Sequence, residues 1–93
     1  MSYIDRMIAR RKAGDIFRNE WGRRTVHLDM TDMFGRMRHF MGTVGEIRLD
    51  YDENNKVDFK GSKVEVLLPG SSLWVSPKNL RREQAAAAQA GAA

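Results

Sequence analysis

Residues 42–80 alternate apolar and polar side chains in short runs separated by turn residues, and that pattern constrains the fold more than any other stretch. Ile47, Leu49 and Tyr51 alternate with polar neighbours, as do Val57 and Phe59, and then Val64 and Val66. A period of two places such side chains on one face of an extended chain. Gly61 with Ser62, and Pro69 with Gly70, fall between the runs, where a turn needs a positive φ or a preset one. The runs GTVGEIRLDY, KVDFKG, SKVEVLLPG and SSLWVSPKNL are therefore expected as four short strands. A spacing of about ten residues between them is that of a small barrel or sandwich.

Upstream, residues 24–30 alternate in the same way and are expected as a strand, with Val26, Leu28 and Met30 on one face and Thr25, His27 and Asp29 on the other. The N-terminus reads differently. Ser2 can cap a helix, with Asp5 three residues later, and Ile4, Met7 and Ile8 then share a helical face. Gly14 is a natural stop, so residues 1–13 are expected as a basic amphipathic helix whose Ile/Met stripe packs on the sheet. Glu20, Trp21 and Gly22 read as a loop. Thr31 and Asp32 resemble a cap, followed by Met33, Met37, Phe40 and Met41 at helical spacing up to Gly42. The expectation there is a short helical turn with methionines filling the core. Beyond Leu80 the composition changes to RREQAAAAQAGAA, and residues 83–93 are expected as an Ala-rich tail.

The charge is unevenly distributed. Residues 1–24 carry seven basic and three acidic side chains, whereas residues 25–48 carry three of each and residues 49–93 six of each. The formal net charge of +4 thus resides in the first quarter of the chain. Cysteine is absent, so there is neither a disulfide framework nor a thiolate metal site, in keeping with a reducing cytoplasm. No apolar run reaches the length of a membrane span, and the charges scattered through MSYIDRMIARRK do not fit a secretory signal. The expected setting is the cytoplasm, with no membrane partner.

Three short motifs carry a family resemblance. Leu73, Trp74 and Val75, then Ser76, Pro77 and an apolar Leu80, resemble the last strand and closing 3₁₀ turn of SH3-like barrels. The run Gly42, Thr43, Val44, Gly45, Glu46, Ile47 is similar to the Gly-x-x-Gly-x-hydrophobic opening of KOW-type and Mind-bomb-type SH3-like domains. Gly14 and Asp15, leading into Ile16 and Phe17, resemble the first strand of such domains. The resemblance implies a mostly β chain: a small SH3-like antiparallel barrel over residues 14–82, with the N-terminal helix and the short helical turn added to it. It also implies that Trp74 closes the barrel and that the partner is nucleic acid or the machinery that handles it. The chain is also loosely similar to short phage-encoded accessory proteins, which implies the host cytoplasm.

Candidate binding residues follow from the charge. Arg6, Arg10, Arg11 and Lys12 are expected to form a phosphate-contacting face. Arg18, Arg23, Arg24, Arg36 and Arg38 extend it, and Trp21, with Phe17 and Tyr3, offers stacking platforms. The rival is a protein-only adaptor, host-protein inhibitor or virion component, with Trp74 and Tyr51 or Phe59 edging a peptide groove. No enzyme is expected. His27 and Asp29 share a strand face, but Ser62, Ser71, Ser72 and Ser76 sit in turns and none lies in a nucleophile elbow. Asp50, Asp52, Asn54 and Asp58 take calcium-loop positions, but Gly61 stands where the bidentate Glu belongs, so a polar hairpin turn is expected instead. Neither metal nor cofactor is expected, nor a small-molecule substrate.

Overall fold

The computed structural model describes residues 2–82, so the expected tail over residues 83–93 lies outside the described residues. One helix, α1 (Tyr3–Trp21), precedes five strands: β1 (Thr25–Thr31), β2 (Met37–Arg48), β3 (Lys63–Leu68), β4 (Ser71–Val75) and β5 (Arg81–Arg82). The strands form one antiparallel sheet in the order β4-β3-β2-β1-β5. The chain is mostly β, as expected, and residues 77–79 form the expected 3₁₀ turn after β4.

The core follows from the period-two patterns. Val26 and Leu28 of β1, Val44 of β2, and Val64 and Val66 of β3 are buried together with Leu80, Phe17 and Trp21. The last two show why the helix does not stop at Gly14. Gly14, Phe17 and Trp21 share one helical face, and all three are buried. A Cβ at Gly14 would stand 2.5 Å from the Tyr51 hydroxyl and 3.3 Å from Leu49 Cδ1. Glycine there costs about 1 kcal/mol of helix propensity, but it lets the helix seat closely on the segment after β2. Asp15, Ile16 and Phe17 are consequently helical rather than a first strand, and Trp21 is the last helical residue rather than part of a loop. Ser2 caps α1 as expected, its hydroxyl accepting from the Asp5 amide.

The Ile/Met stripe does not pack on the sheet. Residues 2–8 are all exposed, with Ile4 at 66% and Ile8 at 62%. The helix docks through its second half, so its first two turns stand clear of the core.

The expected helical turn before Gly42 is a β-hairpin. Asp32 makes the difference: its Oδ1 accepts from the amides of Phe34 (2.8 Å) and Arg36 (3.0 Å), and Gly35 supplies the left-handed residue at φ 78°. An aspartate serving its own turn in this way favours a tight reversal over a helix start. The methionines expected as core filler are exposed as a result. Registers show how this hairpin leaves the sheet. β1 and β2 pair from Thr25↔Thr43 to Thr31↔Met37, but β5 flanks β1 only at Val26 and His27, and β3 joins β2 only from Thr43 onward. Residues 28–41 are thus a two-stranded arm, with Leu28 at its root still buried in the core.

The run KVDFKG is not a strand. It contributes one bridge, Tyr51↔Val57, around a turn in which Asp52 Oδ1 accepts from the amides of Asn54 and Lys56 and Asn55 takes φ 62°. The loop acids serve backbone amides, as a polar turn requires; Asp58 Oδ1 does the same for Lys60. Phe59 leaves the sheet and meets Phe17 and Trp21 edge-on, at 5.5 and 6.0 Å.

Trp74 does not close a core. β3 buries Val64 and Val66, so Glu65 and its cross-strand partner Trp74 take the outer face, where the indole is 39% exposed beneath the Arg48 guanidinium at 4.4 Å. Leu73 and Val75 pack against the core in its place.

Candidate functional site

The basic residues fall into three groups. On α1, Arg6, Arg11 and Lys12 are exposed, and the last two line a shallow groove of about 410 Å³ with Ile8, Asp15, Ile16 and Asn19. Arg10 is separated from them. It lies on the docking face, where its Nε donates to Asn55 Oδ1 at 2.9 Å and its guanidinium sits 5.6 Å from the Tyr51 ring centre. Arg10 fastens the helix to the turn at residues 52–56, which removes it from the expected phosphate face.

Around the helix C-terminus, Arg18, Arg23 and Arg24 are exposed. Trp21 is not a stacking platform for a ligand: it is 6% exposed, stacks on Phe17 at 5.4 Å, and has the Arg82 guanidinium 4.9 Å from its ring. Phe17 is buried as well, whereas Tyr3 is exposed.

The third group is on the arm. Met33 and Phe34 occupy its tip at 90% and 75% exposure, and the Arg36 guanidinium lies 5.7 Å from the Phe34 ring centre. Arg38 lines a cleft of about 250 Å³ with Met30, Thr31, Asp32 and Phe40. Cations and exposed large apolar side chains thus occur together here, with Met37 and Met41 exposed along the same arm. Phe34, Met33 and their neighbours were hidden in the sequence by an accidental helical spacing. The signal that could have exposed them is Asp32 three residues before Gly35, a turn signature.

At the root of the arm four side chains form a chain across three strands. His27 Nδ1 and His39 Nε2 are 3.0 Å apart, His39 Nδ1 lies 2.9 Å from Asp29 Oδ1, and Arg81 donates to Asp29 Oδ2 at 3.1 Å. His27 and Asp29, which share a strand face, are therefore linked through His39. The His39 hydrogen bond, reinforced by the Arg81 charge, holds the Asp29 carboxyl below the usual carboxylate range. A depressed folded-state value makes the carboxylate stabilising at neutral pH, and that contribution fades as the pH falls through it. Asp29→Asn is expected to lose stability at neutral pH and to converge on the parent in strong acid. Equal differences at both extremes, in denaturation followed across pH, would contradict this.

Among the described residues, no group of three or more His, Cys, Asp or Glu side chains is arranged to hold a metal ion, and no helix is long and apolar enough to cross a membrane. Comparisons with protein-family profiles, curated proteins and solved structures find no match to this chain.

Proposed function

We propose that this chain is a non-enzymatic binding module of SH3-like type that engages nucleic acid, or the machinery handling it, through the β1–β2 arm. The barrel reading is supported by the 3₁₀ turn after β4 and by the return of β5 to the side of β1. It is also supported by an irregularity in β2–β3 pairing between Val44 and Ile47, within the Gly-x-x-Gly run. The observation that carries the functional reading is the arm tip, where Met33 and Phe34 stand exposed beside Arg36 and Arg38. A two-stranded ribbon fits a groove, cations meet phosphates, and Phe or Met side chains serve as wedges between bases. The loose likeness to phage accessory proteins extends the proposal to a factor acting in the host cytoplasm, where the lack of cysteine is no handicap.

Fluorescence anisotropy with labelled single- and double-stranded oligonucleotides, over a range of salt, tests this. The parent is expected to bind at low salt. Replacing Arg36 and Arg38 by Gln is expected to weaken binding about tenfold and to flatten the salt dependence. The triple change of Arg6, Arg11 and Lys12 to Gln measures the helix contribution separately. A parent that ignores oligonucleotides at low salt defeats the nucleic-acid reading. The second reading, a protein-only adaptor or virion component, would then replace it. Its support is the exposure of Tyr3, Ile4, Met7, Ile8 and Ile16 on the helix, because water-exposed apolar clusters of this kind commonly meet protein.

A further inference from the structure

We propose that His27 and His39 form a two-imidazole site for a zinc-class divalent cation, which staples β1 to β2 at the root of the arm. The site is independent of what the arm tip binds. It begins with register: His27 faces Met41 and Asp29 faces His39, so the two histidines are diagonal neighbours on one sheet face. Their facing nitrogens, His27 Nδ1 and His39 Nε2, are 3.0 Å apart. Bonds of about 2.0–2.1 Å in tetrahedral geometry hold two nitrogens about 3.3 Å apart. The pair therefore needs to open by only a few tenths of an ångström to admit the ion.

The surroundings of His39 are those of a ligand. Its Nδ1 is committed to Asp29, which places the proton on that nitrogen and leaves the Nε2 lone pair directed at His27. Arg81 fixes the other carboxylate oxygen, so the ring is oriented from β1 and from β5. In the metal-free protein the two facing nitrogens are hydrogen-bonded to each other. A cation needs both lone pairs, so the proton between them is given up when the metal binds. Neutral imidazole favours Zn²⁺, Ni²⁺ and Cu²⁺ and discriminates against the oxygen-seeking Ca²⁺ and Mg²⁺. The protein supplies two ligands, and the half-exposed setting, with His39 at 51% and Asp29 at 46%, leaves the remaining positions to water.

Imidazole-nitrogen NMR of the full chain, titrated with zinc chloride, provides the test. The expected result is a saturable shift of both facing nitrogens at one zinc per chain, with no response to calcium. His27→Ala and His39→Gln should each weaken binding at least tenfold, with amide spectra confirming that the variants remain folded. Asp29→Asn should weaken it about tenfold by releasing the His39 ring. The proposal is overturned by the absence of saturable shifts up to millimolar zinc, by affinity unchanged in either histidine variant, or by an Asp29→Asn protein that binds like the parent.

Discussion

Trp21→Ala is expected to lower the unfolding free energy by about 4 kcal/mol, the cost of emptying a buried indole site. Trp21 stacks on Phe17 with rings inclined 13° and receives Phe59 edge-on, so its removal strips contacts that join the helix to the loop carrying Phe59 and to the buried core. A domain of this size has about 5–15 kcal/mol in total, which makes the loss close to unfolding. Trp74→Ala is the control. Its indole lies on the outer face under Arg48, and losing that cation–π contact should cost about 1 kcal/mol or less. Chemical denaturation of both variants measures the contrast. If Trp74→Ala proved the more damaging change, the placement of the two indoles would be wrong.

Gly42→Val is expected to cost about 3 kcal/mol and to part β2 from β3. A Cβ at residue 42 would stand 2.5 Å from the Leu67 carbonyl oxygen, 2.7 Å from Val66 Cγ1 and 3.1 Å from Leu68 Cδ2. The first obstacle is backbone in the neighbouring strand and cannot swing aside. Gly45→Ala makes the comparison, because its new methyl would meet the Glu65 carboxylate at 2.8 Å and the Leu67 side chain at 3.2 Å, both able to move. Thermal melts should rank Gly42→Val well below Gly45→Ala, with amide shifts at Thr43 and Leu67 reporting the parted strands. A Gly42→Val melt within a few degrees of the parent would show that the strands can spread.

The parts of the fold that sequence reveals are those where one physical rule acts alone. Val26, Leu28, Val64 and Val66 announce a half-buried sheet by alternation, and Ser76 with Pro77 announces the turn after β4. Reading fails where two rules compete. At Gly14, low helix propensity points to a stop, but the gain from seating Phe17 and Trp21 outweighs it. At residues 31–41, the methionine spacing fits a helix, but the Asp32 side chain settles a reversal through contacts no periodicity registers. Of the candidate site, the cations were legible individually but their grouping was not. Arg10 and Arg11 are adjacent in sequence yet part ways, one anchored to Asn55 and the other on open surface, because a helix sends neighbouring side chains in different directions. The tie of Asp29 to His39 and Arg81 depends on strand register and on a strand that consists of only two residues.

That two-residue strand also sets when the protein can fold during its synthesis. Arg81 and Arg82 lie beside His27 and Val26, and Leu80, which precedes them, belongs to the core. A nascent chain presents α1 and the β1–β2 hairpin to solvent long before the residues that cover them have been made. Neither holds its shape alone, since an isolated helix or two-stranded hairpin is marginal in water. Contacts between such distant parts of the chain also form slowly. The core is therefore complete only once Leu80 has left the ribosome. Until that moment Phe17, Trp21 and Val26 are open to any chaperone that surveys emerging chains.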